Sequence, residues 1–301
     1  MKAAPFAYAR PATVDAAVAE LARAGGDGKV LAGGQSLVPV LAMRLARPSV
    51  LVDINGVAGL DELSVDGDVL YVGAAVRQRR VEHDPRAAAV PLLGLALPWV
   101  GHRELRSRGT VCGSLAHADP AAELPAVAAV LDAALEVAGP SGRRTVTARE
   151  FFTGAMTTSL GPDEVLTGVR FPVAGPGEGF GFAEFARRHG DFALAGVAVR
   201  VRRSPRQAVL AAFGISDRPV VRDVTPLLNA GPDEDQLTGP LTELAEQIVD
   251  TGGDVHASAG YRRRLLAALA ARELARALRQ SGGQSGDQPG AQGEGEGSED
   301  D

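Results

Sequence analysis

KVLAGGQSL (residues 29–37) and GTVCGSLAHADP (residues 109–120) are the two stretches on which the reading of this chain turns. Each follows or interrupts an apolar run. Each sets small residues and hydroxyls where a backbone can come close to a large anionic ligand. A dinucleotide carries two phosphates, and amide groups bared at tight glycine turns are their natural partners. Two such loops in one chain point to a ligand gripped from two sides. In Ala32-Gly33-Gly34-Gln35-Ser36 the double glycine allows φ > 0 and a close approach, and Ser36 adds a hydroxyl. Alone this signal is weak, because a chain with 37 glycines holds Gly-Gly pairs that are only turns. The second loop is richer. Gly109 and Gly113 flank Thr110, whose hydroxyl and amide suit a phosphate, and Ser114, His117, Asp119 and Glu123 follow.

Pro120 and Pro125 argue against one continuous helix through this region. An irregular turn is expected as far as Glu123, then a helix from about residue 125 to residue 135. Glu123 would precede that helix. There it either accepts a hydrogen bond from a ribityl or ribose hydroxyl or complements the helix dipole, and the residues alone favour the dipole.

Several chemistries are excluded. No G-x-G-x-x-G follows the first strand, so there is no Rossmann fingerprint. The alternating glycines of residues 177–181 read as a flexible connection. Lys29 precedes its glycines, unlike a P-loop lysine. No H-E-x-x-H occurs and the five histidines are scattered, so no zinc site is expected. Ser36 and Ser114 lack a G-x-S-x-G elbow. Without a nucleophile or metal constellation, any chemistry falls to a cofactor. Lys29 still stands out, since Lys2 is the only other lysine and all remaining basic residues are arginine.

The 301 residues suffice for two or three subdomains with a sizeable core. Aromatics are only 4%, so that core must be built mainly from Ala, Val and Leu. No apolar run approaches the roughly 20 residues of a membrane span. The N-terminus has no apolar signal region. The lone Cys112 leaves no internal disulfide and no Cys-ligated cluster held by this chain alone. A cytoplasmic location is the default. The net charge of −6 equals the six acidic groups found after Arg279, so the rest of the chain is near neutral. A neutral body with few aromatics is a poor nucleic-acid binder. The Gly/Ser/Gln-rich acidic tail, residues 281–301, is expected to be disordered.

The first 55 or so residues read as a small α/β unit with parallel strands. It has a helix over 13–24 capped by Thr13, a strand over 29–31, a helix over 36–45 and a strand over 49–54. Residues 63–65 and 69–72 form a hairpin. Helical pieces follow at 79–84 and 92–97. Strands follow at 135–138, 145–147 and 165–171. The Pro/Gly-rich stretch 172–181 marks a boundary. Beyond it come three antiparallel strands (181–186, 195–201, 208–214), helices at 226–228 and 241–249, and a long helix over 259–280. The arginines crowding that last helix read as a solvated face.

Together, AGGQSL and GTVCGSLAHADP resemble the FAD-binding medium subunit of molybdenum hydroxylases, the carbon monoxide dehydrogenase and xanthine dehydrogenase group. The resemblance runs to about Gln280. It includes FAYARPATVDAAV (6–18), VDINGVAGL (52–60), VGAAVRQRR (72–80), residues 105–110, RRHGDFA (187–193) and VHASAGYRRRL (255–265). It implies an α+β fold. A PCMH-type FAD-binding domain of two α/β subdomains (1–56 and 57–176) precedes a C-terminal domain (177–280) of three-stranded antiparallel sheet plus helices. FAD would lie between the first two, with both glycine loops on its diphosphate. Lys29 matches the lysine heading the first motif. Ala32, Gly33, Gly34, Gln35 and Ser36, with Thr110, Cys112, Gly113 and Ser114, become FAD contacts. Glu123 falls where the family has a carboxylate near the ribityl chain, which reverses the odds for it. Leu166 falls at an isoalloxazine contact, and Asp191-Phe192 where an aromatic residue lies near the ring.

Two positions depart from the family. Cys112 replaces a glycine, where its side chain either crowds the phosphate or turns away as a buried thiol. Glu184 stands where many relatives have lysine. The resemblance implies an electron-transfer subunit with no catalytic or metal-binding residue of its own. Its partners would be a molybdopterin-binding large subunit and a 2Fe–2S small subunit, in a dimer of heterotrimers. Two alternatives stand beside it. One is an assembly subunit whose flavin binding Cys112 has weakened. The other is a stand-alone NAD(P)H-dependent flavoenzyme. The oxidised substrate belongs to the large subunit.

Overall fold

The computed structural model describes residues 2–283. Its first unit runs β1 (Ala7–Ala9), α1 (Val14–Arg23), β2 (Gly28–Leu31), α2 (Leu37–Ala42) and β3 (Val50–Asp53). The Thr13 side chain accepts the Ala16 amide at 3.2 Å and caps α1, whose buried face is Ala17, Val18 and Leu21. The three strands are parallel in the order β1-β3-β2. The sequence reading has no counterpart to β1. Three residues show no period, and the strand exists only because Ala7–Ala9 pairs with Val50–Val52.

The second unit is a five-stranded antiparallel sheet with helices. It contains β4 (Leu63–Asp66), β5 (Val69–Gly73), α3 (Gln78–His83), α4 (Pro91–Ala96), α5 (Arg103–Arg108), α6 (Val111–His117) and α7 (Glu123–Leu131). There follow β6 (Ala134–Gly139), β7 (Gly142–Thr147), α8 (Ala148–Phe151), the short pair β8 (Phe152–Gly154) and β9 (Thr157–Thr158), and β10 (Val165–Pro172). The strand order is β4-β5-β10-β6-β7. Every residue of α7 is buried, as expected of a helix apolar on all sides. α7 starts at Glu123 and stops at the left-handed Asp132 (φ 51°), so Glu123 opens the helix rather than preceding it. Pro125 falls in its first turn, where a missing amide costs nothing.

The third unit is an antiparallel sheet of β11 (Glu178–Phe185), β12 (Ala195–Arg202) and β13 (Gln207–Phe213), joined by a short fourth strand, β14 (Val220–Asp223). Two helices follow, α9 (Glu234–Ile248) and α10 (Ala259–Gly283). One face of this sheet, carrying Phe180, Phe182, Ala211 and Phe213, joins the core shared with α4 and α7. The other face, carrying Ala183, Val197, Val199 and Leu210, packs on α9 and α10.

The glycines of 177–181 are not a flexible connection. Gly179 and Gly181 lie inside β11, and α10 crosses directly over them. A Cβ on Gly179 would stand 1.8 Å from the Ala277 carbonyl oxygen, and one on Gly181 2.5 Å from that of Glu273. The arginines of α10 are not all solvated either. Arg262 is 6% exposed, donates to the carbonyls of Leu194 and Gly214, and pairs with Asp254 at 2.6 Å. Residues 281–283 continue α10, and the rest of the acidic tail lies outside the described residues. Among the described residues, no helix is long and apolar enough to cross a membrane.

The helix–sheet contact gives a direct test. Gly179→Ala should lower unfolding stability by about 3 kcal/mol or more through overpacking against backbone. Gly94→Ala, on the exposed face of α4 with nothing within 4 Å of the new methyl, should be neutral or stabilising by up to about 1 kcal/mol. Urea denaturation of both variants measures the contrast, and equal midpoints would mean that α10 does not rest on β11 as described.

Candidate functional site

The two glycine stretches meet backbone to backbone. A Cβ on Gly33 would stand 2.4 Å from the Arg108 carbonyl oxygen and 2.7 Å from the Gly109 Cα. The closest approach that Gly33 permits is therefore to the other loop. Gly34 takes φ +74°, the left-handed turn that delivers the chain from β2 into α2. Ser36 is exposed at the head of α2 and its hydroxyl makes no capping bond.

The second stretch is more regular than an open loop. Thr110 caps α6, its hydroxyl accepting the Gly113 amide at 2.9 Å. A Cβ on Gly113 would stand 2.6 Å from that hydroxyl oxygen, so glycine is needed for the cap to close. Thr110 is 2% exposed, and its hydroxyl serves the helix first. The irregular turn expected after it is confined to the left-handed Ala118 and the residues up to Ala122.

A polar brace locks the two stretches together. The Asn55 amide donates to the Ala32 carbonyl at 2.8 Å and to the Asp53 carboxylate at 2.5 Å. The Arg77 guanidinium donates to the Asn55 side-chain oxygen at 2.7 Å and to the Arg108 carbonyl. The Gln78 amide donates to the Gly109 carbonyl at 2.9 Å. Burial alone would raise the Asp53 carboxyl, but hydrogen bonds from Tyr8 and Asn55 outweigh it and hold it below the usual range. Asn55 and Arg77 lie in VDINGVAGL and VGAAVRQRR, but no spacing rule links positions 22 residues apart to a common carbonyl pair.

A second polar feature lies at the start of α7. Glu123 is 7% exposed, and burial pushes its carboxyl up to about 7. Glu184, on β11, is 6% exposed with neither carboxyl oxygen hydrogen-bonded. Burial, with the Glu123 charge adding to it, pushes Glu184 up to about 9.

Residues 4–174 match the family model for the FAD binding domain in molybdopterin dehydrogenase, and residues 180–277 that for the CO dehydrogenase flavoprotein C-terminal domain. The chain belongs to this family of FAD-binding oxidoreductase subunits. It is 38% identical over 281 residues to the nicotine 6-hydroxylase medium subunit of Paenarthrobacter nicotinovorans, covering 91% of this chain and 98% of that protein. It is 37% identical over 281 residues to the caffeine dehydrogenase subunit beta of Pseudomonas sp. strain CBB1, covering 91% and 95%. Among solved structures it resembles a chain of carbon monoxide dehydrogenase from Hydrogenophaga pseudoflava lacking the Mo-pyranopterin moiety of its cofactor. There the TM-score is 0.86 at 30% identity, covering 93% of this chain and 99% of that one.

The residues present fit the family's FAD. Two glycine-built stretches abut where a bulkier residue at Gly33 could not stand, leaving their amide-bearing turns side by side. Cys112 fits as well. It sits inside α6 with its thiol turned into the core, 2% exposed and 3.5 Å from the Val72 carbonyl it donates to. Burial pushes the thiol up and keeps it protonated. The side chain therefore does not crowd the loop, which removes the reason for expecting weakened flavin binding.

The remaining residues singled out in the sequence are more dispersed. Lys29 is exposed on β2. Gln35 is half-buried beside Gly34, and Ser114 half-buried on α6. Leu166 is buried on β10, next to a register shift at Gly168. Asp191 and Phe192 lie between β11 and β12, in a segment where His189 rests on Trp99 with ring centroids 5.5 Å apart. Phe192 is 72% exposed, so it is not a core-packing residue.

The brace predicts a binding phenotype. Arg77→Ala removes two charge-assisted hydrogen bonds, worth about 1.5–3 kcal/mol each, and should weaken FAD binding roughly tenfold or more, with Arg77→Lys recovering part of it. Flavin fluorescence on titration measures the affinity, and an unchanged Kd for Arg77→Ala would sink the brace. The native Cys112 thiol should stay unreactive to a water-soluble thiol reagent and react only on denaturation. Fast labelling of the folded chain would contradict its placement.

Proposed function

We propose that this chain is the FAD-carrying electron-transfer subunit of a molybdenum hydroxylase complex. It passes electrons from the clusters of a 2Fe–2S small subunit to a terminal acceptor, while a molybdopterin-binding large subunit oxidises the substrate. The observation that carries this reading is the backbone contact at Gly33. It sets two amide-bearing glycine stretches side by side in a chain that matches the family from residue 4 to residue 277.

Bound FAD supplies the redox chemistry, taking electrons singly and delivering them in pairs. The chain's part is to hold it. Residues 32–36 and 110–114, headed by Lys29, serve the diphosphate, whose charge exposed amides stabilise. Glu123 serves the ribityl chain. Leu166, Asp191 and Phe192 serve the ring. Residues 1–56, 57–176 and 177–280 act as two FAD-binding subdomains and a C-terminal domain. A single buried cysteine cannot ligate an iron–sulfur cluster, so the electron source is another chain. The relatives are themselves named as subunits. The assembly we infer is a dimer of heterotrimers in the cytoplasm.

Co-expression with adjacent open frames and purification through a tag on this chain tests the proposal. The expected product is yellow-brown, carries cluster- and molybdopterin-binding subunits, and releases stoichiometric FAD on denaturation. The flavin-loaded chain alone should not turn over NAD(P)H. Purification of a colourless chain with no such subunits would overturn the assignment.

A further inference from the structure

The brace across the two glycine stretches has an anchor of its own. Asp53 ends β3, the middle strand of the parallel sheet, beside Leu31 at the end of β2. It is 8% exposed. Its Oδ1 accepts both the Asn55 backbone amide at 2.9 Å and the Asn55 side-chain amide at 2.5 Å. Its Oδ2 accepts the Tyr8 hydroxyl, brought alongside by the pairing of β1 with β3. The cations acting on this group are Arg10, which packs over Gly56, and Arg77. A carboxylate only accepts hydrogen bonds, and so does the Ala32 carbonyl, while a guanidinium only donates. Asn55 satisfies all three in one orientation, with its amide nitrogen toward Asp53 and Ala32 and its oxygen toward Arg77. The reverse orientation would set oxygen against two acceptors and nitrogen against the guanidinium.

We propose that Asp53, held by Tyr8, is the positioning residue of the flavin site, aiming the Gly33 amide by way of the Asn55 side chain. This rests on the FAD-subunit reading above. A trans peptide is planar, so its carbonyl and its amide point opposite ways. Holding the Ala32 carbonyl therefore fixes the direction of the Gly33 N–H. That N–H finds no partner among the described residues, and an unspent main-chain donor at a tight turn suits an anion. Among the described residues the Asp53 carboxylate bonds only Tyr8 and Asn55, so its influence on the turn passes through Asn55. The N-terminal strand β1, through Tyr8, thereby belongs to the support of the site.

The test is FAD titration of the full-length chain, purified with its partner subunits and stripped of flavin. Hydrogen exchange of the Val38 amide, which bonds the Gly34 carbonyl at 2.9 Å, reports the order of the turn before flavin is added. Asp53→Leu keeps the size of the side chain and removes its acceptors. It should weaken FAD binding roughly tenfold and speed exchange at Val38. Asp53→Asn keeps an acceptor for Asn55 and should bring the affinity back to within about threefold of wild type. In an Asn55→Ala background Asp53→Leu should cost nothing further, because residues acting through one contact are not additive. Full additivity with Asn55→Ala, or Asp53→Asn as impaired as Asp53→Leu, overturns the positioning role and leaves the FAD reading standing. Should Asp53→Leu fail to fold, Tyr8→Phe, at a side chain 57% exposed, replaces it in the same cycle. It should weaken binding about threefold alone and not at all in the Asn55→Ala background. Additivity there, or no loss from Tyr8→Phe alone, overturns the proposal. Absence of FAD binding by wild type would instead remove the FAD reading itself, and exchange at Val38 would still decide whether Asp53 orders the turn.

Discussion

Everything at the candidate site follows from the absence of a side chain at Gly33. The Arg108 carbonyl occupies the space where a Cβ would be, so the turn after β2 and the segment before α6 can touch only through glycine. That contact unites two differently built sheets, one parallel and one antiparallel. It is held by Asn55 and Arg77, which between them bond a carbonyl from each side. The amides that would face an anion are thereby fixed before any ligand arrives, and preorganised donors lose less on binding than mobile ones.

α7 plays the corresponding part between the second sheet and the third. Because it is apolar all round, it can be buried between the second sheet and the third. Glu123 is the polar exception at its first turn, and it is carried into the interior with the rest. The third sheet lies against this core with its Phe182 face and accepts α10 on the opposite face. Gly179 and Gly181 bring the helix backbone to the strand. A protein poor in aromatics gains its packing here through small residues and short distances.

Much of this was legible in the residues. The 3.6-residue period of 14–23, capped by Thr13, and the apolar run before Asp53 are local signals, and the hairpin around Asp66-Gly67-Asp68 is turn chemistry. The less legible parts depend on partners far along the chain. β1 is a strand only because β3 lies beside it. The stretch 177–181 has the composition of a linker, yet α10, nearly a hundred residues later, makes Gly179 and Gly181 a packing surface. The arginines of α10 read as solvated, yet Arg262 is drawn inward by the free carbonyls of Leu194 and Gly214.

The residues alone therefore established the family, the two glycine stretches and the dependence on a borrowed cofactor, because these reside in short motifs whose physics is local. The pairing of Gly33 with Arg108, the Asn55–Arg77 brace and the inward turn of Cys112 came from the folded chain. Each is a contact between segments whose separation in sequence carries no information about their distance in space. Burial, which sets the charge of an acid, is a property of the surroundings rather than of the residue.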